Sequence, residues 1–348
     1  MSMSRRRFLT AAAAGSALVV LATQQATLPP RRARWFLFGT QVDVELIEPA
    51  GHDATPVLAL LAERLQRLHV DWHAWKPGRL GDLNRALASG LPYVAEPSLL
   101  ALVRDAQSLS QRCGGLFNPA IGGLIGLWGF HRDEMLAGSI PSRDAIERLL
   151  DADVTPDALT FDGDTVRSRN PAVQLDLGAY AKGYALDLAQ TLLHDHGFAD
   201  AVVNAGGDLV ASGRGPGRPW HIGIRHPSGR GTLALIETAG REAVVTSGNY
   251  ERYRVLDGRR YAHILDPRTG WPAEAVASAT VVCADAALAD AASTAISVAG
   301  EQWPDVAVAF GIDQAMVVTA DGRVQFTRAM YERVDPVNLR ARAVSVIA

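Results

Sequence analysis

Cysteine is scarce in this chain of 348 residues, which contains only Cys113 and Cys283. Two cysteines in a chain of this length provide neither a disulfide framework nor a CxxC redox motif. The apolar, strand-like run that ends at Cys283 favours two buried thiols. A disulfide between them stays open, because the N-terminus indicates an oxidising compartment.

Aromatic residues and excess positive charge are also lacking. Aromatics make up 7% of the chain, the net charge is −3 and the pI is near 6.3. A nucleic-acid-binding surface needs a basic field and rings on which bases stack, so we expect no nucleic-acid partner. The remaining composition, 48% hydrophobic and 20% charged, is that of a globular protein with a substantial core.

The N-terminus has no apolar run long enough for a typical membrane span. It has a basic segment, Arg5-Arg6-Arg7, followed by Phe8-Leu9 and an uncharged, Ala-rich stretch from Thr10 to about Ala22. This pattern predicts a secretory signal and resembles the twin-arginine type. We therefore interpret residues 1–30 as export signal and linker and residues 31–348 as a periplasmic or other extracytoplasmic domain. An uncleaved signal would act as a membrane tether, and the cleavage site stays open.

Hydrophobic periodicity predicts helices and short strands joined mostly by turns of hairpin length. The order of these predicted helices and strands along the chain favours an α+β fold with largely antiparallel sheets flanked by helices. The segment 113–131 is Gly-rich and too irregular for a simple helix. Helices are predicted at 56–68, 82–88, 96–112, 142–150, 179–194 and 286–298, and strands at 36–45 (interrupted at Gly39-Thr40), 173–176, 201–204, 208–212, 221–225, 233–237, 243–247, 253–256 and 277–282.

The segment from Asp176 to Gly183 joins the end of an apolar strand to a helix that begins with small residues. Small residues let a ligand approach the main chain, and the first N–H groups of a helix favour a phosphate. Lys182 would add a positive charge there. Taken alone, an ordinary strand-to-helix junction with a solvated lysine explains the segment equally well.

Two further segments carry polar residues at turns. Asn204-Ala205-Gly206-Gly207-Asp208 has the paired glycines of a turn between strands and by itself indicates no more. Thr246-Ser247-Gly248 precedes His263-Ile264-Leu265-Asp266-Pro267-Arg268-Thr269-Gly270, a tight turn that Asp266 would cap. His263 either makes a structural hydrogen bond or lies at the rim of a ligand cleft as a base or phosphate contact.

Asp290 and Thr294 are four residues apart in a predicted helix, so they share one face. A carboxylate and a hydroxyl at this spacing suit a hard cation such as Mg²⁺. The alternative is an Ala-rich buried helix whose two small polar residues bond to the backbone.

Together these segments resemble the FAD:protein FMN transferase family, also called the ApbE family. The resemblance runs from about Phe38 to Gly300. It rests on eight segments in order: Gly39-Thr40, Trp75 to Asn84, Gly114 to Phe130, Asp-x-Gly-x-x-x-Lys-Gly at 176, Asn-x-Gly-Gly-Asp at 204, Thr-Ser-Gly at 246, His-Ile-x-Asp-Pro-x-Thr-Gly at 263 and Ala-Asp-x-x-x-Thr at 289.

The resemblance implies a T-fold-like architecture with a flavin cleft between sub-domains, FAD as substrate and Mg²⁺ as cofactor. It places the metal on Asp290, Thr294 and the main-chain carbonyl of Ala179. The residues implied to contact FAD are Phe38, Trp75, Leu116, Phe117, Asn118, Asp176, Lys182, Ser247 and His263.

Three positions depart from the family pattern. Phe38 stands where relatives usually have Met, Trp75 where many have Tyr, and Asn118 where they usually have Asp. The first two keep an apolar or flat wall, so we expect FAD binding to survive. Asn118 lacks the charge but keeps a hydrogen-bond acceptor.

The implied reaction is Mg²⁺-dependent transfer of FMN from FAD to a Thr or Ser hydroxyl of an acceptor flavoprotein or redox-chain subunit, with AMP leaving. His263 is the candidate general base. Two alternatives stay open: a pyrophosphatase that uses water to give FMN and AMP, and an exported flavin-binding protein without catalysis. The set of Asp290, Thr294 and His263 favours an enzyme, because simple binding does not need it.

Overall fold

The computed structural model describes residues 29–132, 139–228, 231–238, 240–256, 258–337 and 344–347. The predicted export signal lies outside the described residues, apart from Pro29 and Pro30. None of the helices in the described part of the chain has the length and apolar character that a membrane crossing requires.

The elements follow one another in a mixed order of helices and strands. The helices are Thr55–Asp71 (α1), Arg79–Ala88 (α2), Pro97–Arg112 (α3), Gly122–Trp128 (α4), Arg143–Asp151 (α5), Ala181–Asp195 (α6), Ala286–Ala299 (α7), Trp303–Phe310 (α8) and Arg328–Arg333 (α9). The strands are Arg31–Leu37 (β1), Thr40–Leu46 (β2), Tyr93–Val94 (β3), Leu159–Asp162 (β4), Thr165–Ser168 (β5), Ala201–Ala205 (β6), Asp208–Ser212 (β7), His221–Arg225 (β8), Thr232–Glu237 (β9), Glu242–Gly248 (β10), Tyr253–Leu256 (β11), Arg259–Ala262 (β12), Val276–Cys283 (β13), Gln314–Thr319 (β14), Val324–Thr327 (β15), Asp335–Pro336 (β16) and Val344–Ile347 (β17).

The main sheet has the strand order β1-β2-β6-β7-β10-β13-β14-β15-β17. Its neighbouring strands are antiparallel except for the parallel pair β15–β17. Smaller sheets are formed by β16-β9-β8, β3-β5-β4 and the β11–β12 hairpin. This arrangement confirms the predicted α+β fold with largely antiparallel sheets.

Both faces of the main sheet are covered, as the period-2 pattern of β10 shows. Ala243 and Val245 face the core beneath the helices, whereas Val244 faces a second core under the β16-β9-β8 sheet. A third apolar cluster, around Trp128 and Tyr261, joins α4 and α5 to the β11–β12 hairpin.

Helices α6 and α7 approach each other closely at Gly183. A Cβ at this position would overlap the main-chain carbonyl of Ala286. Helix α7 begins at an N-cap, Asp285, whose carboxylate accepts a hydrogen bond from Leu288 N at 2.8 Å. The close packing brings the first turn of α6 against the face of α7 that carries Asp290.

Most predicted elements are present with boundaries shifted by a few residues, but the strand at 173–176 is wrong. Val173 and Leu175 are buried, yet the segment makes only one isolated bridge, between Gln174 and Ile121. The Asn84 side chain bonds both the N–H and the carbonyl of Leu175, at 2.8 and 2.9 Å, in place of a neighbouring strand. The irregular segment 113–131 contains α4. The sequence predicts none of the strands β3, β4, β5 and β12, nor any element after residue 300.

The two cysteines are free thiols. Cys113 is buried and Cys283 is partly buried, so the expectation of two buried thiols holds fully only for Cys113. Burial raises the pKa of both thiols.

Candidate active site

One cavity of about 1150 Å³ collects every site residue named from the sequence. This volume is slightly above the usual range for small-molecule pockets and is large enough for a dinucleotide. The predicted residues that line it are Phe38, Trp75, Leu116, Phe117, Asn118, Asp176, Ala179, Lys182, Ser247, His263, Asp290 and Thr294.

Trp75 and Asp176 meet although they are 101 residues apart in the sequence. The indole Nε1–H donates to Asp176 Oδ2 at 2.7 Å. The second oxygen of Asp176 accepts from Gly178 N at 2.9 Å, which fixes the chain just before α6. His131 stacks on the Trp75 ring with a centroid separation of 4.5 Å, and its Nδ1 is buried without a hydrogen-bond partner among the described residues. These groups form a flat, polar-edged wall.

Phe38 and Asn118 belong to tight turns that border the cavity. Phe38 and Gly39 have φ of 54° and 72° and connect β1 to β2, as expected for a two-residue turn of type I′. Phe38 N donates to His69 Nδ1 at 3.1 Å. The Asn118 side chain accepts from Ala120 N at 2.9 Å and donates to the Val154 carbonyl at 2.9 Å, so both ends of its amide are used within the protein.

Lys182 lies between two acidic side chains. Its Nζ is 2.6 Å from Asp208 Oδ2 and 3.5 Å from Asp290 Oδ2. Burial alone would lower the pKa of Lys182, but the two carboxylates outweigh it and raise that pKa, so the ammonium stays charged. The resemblance implied that Lys182 contacts the flavin nucleotide; in the structure its nearest charges are these two carboxylates, inside the same cavity.

Asp290 and Thr294 share one face of α7, as their spacing predicted. The Asp290 side chain is 3% exposed, and its Oδ2 accepts from Gly183 N at 3.0 Å. Burial raises the pKa of Asp290 to about 6, Lys182 opposes this rise and Asp208 adds to it. Thr294 Oγ1 lies 3.2 Å from Ser247 Oγ, which places a second hydroxyl beside it.

His263 follows β12 and is held by the main chain of Arg252. Both His263 N and Nδ1 lie 3.1 Å from the Arg252 carbonyl. A carbonyl oxygen can only accept a hydrogen bond, so Nδ1 carries the hydrogen. In this tautomer Nε2 is unprotonated and keeps its lone pair. Burial lowers the pKa of His263 to about 4, the hydrogen bond to Arg252 opposes this, and the charges of Arg252 and Lys182 add to it. At neutral pH the imidazole is therefore neutral. Asp266 caps the turn that follows, accepting from Arg268 N at 2.9 Å.

Comparisons with known proteins identify the family of this chain. The family model described as "ApbE family" matches residues 38–316. The chain belongs to the ApbE family. It is 41% identical over 337 residues to a FAD:protein FMN transferase of Rhodobacter capsulatus, a match that covers 96% of this chain and 64% of that relative. It is 34% identical over 280 residues to one from Treponema pallidum, covering 73% and 75% of the two chains.

Solved structures of ApbE proteins share the fold. The ApbE protein from Thermotoga maritima superposes with a TM-score of 0.80 at 32% identity, covering 87% of this chain and 99% of its own. The flavin transferase ApbE from Vibrio cholerae gives a TM-score of 0.77 at 26% identity, covering 88% and 100%. Both likenesses extend over most of this ApbE-family chain and support its mixed α+β architecture.

Sequence reasoning missed several residues of this ApbE-family cavity. In the sequence Asp208 stands out only as part of a turn motif, although it holds Lys182. His131 was not singled out, although it covers one face of Trp75. Glu251 and Arg252, which also line the cavity, carried no signal because they lie outside any recognisable motif. Of these residues, only Asp208 belongs to a recognisable motif, Asn-x-Gly-Gly-Asp, so only its role could have been suspected from the sequence.

Proposed function

We propose that this protein transfers FMN from FAD to a Thr or Ser hydroxyl of a target protein in a Mg²⁺-dependent reaction that releases AMP. The observation that carries the proposal is that one cavity joins a buried carboxylate and hydroxyl pair, a neutral histidine and an aromatic wall. Membership of the ApbE family and the names of the relatives at 41% and 34% identity support it.

The groups around Asp290 fit a hard cation. Asp290 and Thr294 offer a carboxylate and a hydroxyl. In a regular helix Gly183 N would donate to the carbonyl of Ala179, four residues earlier. Here it donates to Asp290 instead, so it does not occupy the Ala179 carbonyl. Oxygen donors of these three kinds are the ones that Mg²⁺ prefers. Among the described residues no group of three or more His, Cys, Asp or Glu side chains is placed to hold a metal ion, so such a site would depend on neutral oxygens and on phosphate.

When bound, Mg²⁺ would offset charge on the pyrophosphate oxygens. The residues of the chain hold the reactants and move the proton. Trp75 and Asp176 would form the wall and the edge contact for the flavin ring, and Lys182 would supply positive charge beside the phosphates. In the transfer, the acceptor hydroxyl oxygen bonds to the phosphorus on the FMN side. The bond to the AMP oxygen breaks, and AMP leaves with its electron pair.

His263 is the residue we assign to the hydroxyl proton. Its Nδ1–H is engaged by the Arg252 carbonyl, which leaves Nε2 as the acceptor. A neutral imidazole is ready to take a proton without first losing one.

We also propose that the chain is exported by the twin-arginine route and acts outside the cytoplasm. The Arg5-Arg6-Arg7 segment followed by an apolar stretch supports this. Replacing the three arginines by lysine should keep the protein in the cytoplasm, as cell fractionation and immunoblotting would show; an unchanged extracytoplasmic fraction would contradict that route.

Product analysis tests the proposed reaction against its alternatives. The protein is incubated with FAD, with and without Mg²⁺ and with and without a candidate acceptor, and AMP, free FMN and protein-bound flavin are measured. Covalent flavin on the acceptor together with AMP is the expected result. AMP with free FMN and no modified acceptor would instead indicate a pyrophosphatase. Stably bound FAD with neither product would indicate a binding protein.

A further inference from the structure

Asp208 ends the Asn-x-Gly-Gly-Asp motif and is the first residue of β7, and the motif fixes its position. Asn204 Oδ1 accepts from Gly207 N at 2.9 Å, which closes the turn. Gly206 has φ of 69°, and a Cβ there would overlap the Thr40 hydroxyl on β2. Only glycine is compatible with both the backbone conformation and this close contact. The motif therefore delivers the Asp208 carboxylate to one place at the edge of the cavity.

Both oxygens of Asp208 have partners on other elements. Oδ1 accepts from Thr246 N on β10 at 3.0 Å, and Oδ2 accepts from Lys182 Nζ on α6 at 2.6 Å. The side chain is 10% exposed. Because a backbone N–H orients one oxygen, the other has little freedom and the ammonium group is held at a defined point. Asp208 is thus anchored more firmly than the lysine that it binds.

The same ammonium group is within reach of Asp290. Nζ lies 3.5 Å from Asp290 Oδ2, against 2.6 Å from Asp208 Oδ2. Two carboxylates facing one ammonium carry a net charge of −1. A cation bound to Asp290 and this ammonium compete for the same carboxylate, so the position of Lys182 determines how available Asp290 is.

We propose that Asp208 is a positioning residue: it holds the Lys182 ammonium off Asp290 and so leaves the Asp290 carboxylate free to bind the divalent cation. This inference rests on the cation site of the proposed function. It also gives the Asn-x-Gly-Gly-Asp motif a role that its appearance as a turn does not reveal. Asp208 acts through Lys182 and is not itself a ligand of the cation.

The effect of charge removal follows from this arrangement. In Asp208→Asn, the remaining carboxylate next to Lys182 is Asp290, so the ammonium pairs with it and the local charge becomes zero. Mg²⁺ should then bind at least about tenfold more weakly. In Lys182→Met the competitor is gone and the local charge is −2, so Mg²⁺ should bind more tightly. In the double variant the local charge is again −1 and no competitor remains, so the affinity should return close to that of the wild type.

Isothermal titration calorimetry of the full chain with Mg²⁺ alone, without FAD, measures the Mg²⁺ affinity of each member of this double-mutant cycle. Asp208→Glu is added because its carboxylate can still hold the ammonium, and its affinity should lie nearer the wild type than that of Asp208→Asn. Asp321→Asn, an exposed position that does not line the cavity, controls for the change in net charge. Unfolding temperatures measured without Mg²⁺ verify that each variant is folded.

The outcomes separate the inference from the proposed function. A double variant as weak as Asp208→Asn would overturn the inference, since Asp208 would then be a ligand itself. Equal affinities for wild type and Asp208→Asn would also overturn it. Should Asp208→Asn not fold, Lys182→Met decides, and an affinity no tighter than that of the wild type would contradict the competition. If the wild type bound no Mg²⁺, the proposed cation site would fail, and the inference with it.

Discussion

Asp290 shows, at the scale of single residues, how burial prepares a carboxylate for a cation. Its side chain is almost fully enclosed, and its protein partners are one backbone N–H and a shared ammonium. A buried carboxylate in this state has less compensating charge than it needs. A divalent cation would supply the missing charge, and Thr294 and Ser247 place hydroxyl groups beside it.

Asp290→Asn tests that reading. The amide keeps the shape of the side chain and an oxygen for Gly183 N, but it removes the charge. We expect Mg²⁺-stimulated AMP release to fall by more than the roughly 10–100-fold that loss of an outer-shell partner costs a metal site. AMP release measured against Mg²⁺ concentration checks this, with Asp321→Asn as the control. A response to Mg²⁺ equal to that of the wild type would show that the cation binds elsewhere.

His263→Ala should abolish most turnover and leave FAD binding in place. A positioned base contributes roughly 10²–10⁴-fold, so a loss in that range is expected for AMP release at saturating FAD. Flavin fluorescence titration measures the affinity for FAD separately. His196→Ala, at the exposed end of α6, is the matched control. Unchanged turnover in His263→Ala would remove this residue from the mechanism.

The depressed pKa of His263 predicts a pH profile. The imidazole should stay neutral from pH 8 down to about 5 and become protonated near 4, so single-turnover rates should lose this base only below about pH 5. At saturating Mg²⁺, which keeps Asp290 ionised, an acid limb centred near 6.5, the ordinary value for histidine, would contradict the assignment. Stability shifts in the same direction: the unfolded chain takes up this proton near pH 6.5, so the contribution of His263 to stability is complete above 6.5 and is lost as the pH falls toward 4.

At the scale of elements, the contact between α6 and α7 brings the cation residues together. Gly183 supplies both the space for the close approach and the N–H that binds Asp290. Its neighbour Lys182 reaches β7 from the same turn. The site therefore depends on helix packing as much as on its side chains.

Gly183→Ala should destabilise the protein by about 1–3 kcal/mol, because the added methyl group overlaps the Ala286 carbonyl and the helices must separate. Thermal unfolding measures this. Gly123→Ala is the control, since a Cβ there, in α4, meets its nearest atom at 3.4 Å, an ordinary contact. We also expect Gly183→Ala to weaken Mg²⁺ binding. An unfolding temperature equal to that of the wild type would show that the two helices adjust without cost.

Local sequence patterns predict which residues share a face of one element, but not which distant segments meet. The spacing of Asp290 and Thr294 in a continuous Ala-rich run predicts their shared helix face, because helical geometry is local. The contact between Trp75 and Asp176, or between Asp208 and Thr246, depends on how distant segments are arranged, and local periodicity does not record it. The strand prediction at 173–176 is wrong for the same reason. The side chain of Asn84, about ninety residues away, makes hydrogen bonds to the main-chain N–H and carbonyl of Leu175.

At the scale of the whole molecule, helices, the main sheet and a small sheet form layers around two cores, and a third cluster supports the β11–β12 hairpin that leads to His263. The cavity draws residues from many elements of this framework, from Phe36 on β1 to Thr294 on α7. The solved ApbE proteins share the architecture over nearly their full length, whereas the chain spans 64% of its Rhodobacter capsulatus relative. The proposed transfer therefore rests on the part that this chain shares with these relatives.

The most direct test of FMN transfer follows oxygen atoms. The reaction is run in H₂¹⁸O with FAD, Mg²⁺ and an acceptor protein, and mass spectrometry measures AMP and acceptor-bound FMN. We predict one AMP for each FMN bound to a Thr or Ser, with no ¹⁸O in either, because the acceptor oxygen attacks the phosphorus of the FMN half. Free FMN that carries ¹⁸O, with an unmodified acceptor, would show that water is the nucleophile and would contradict the transferase.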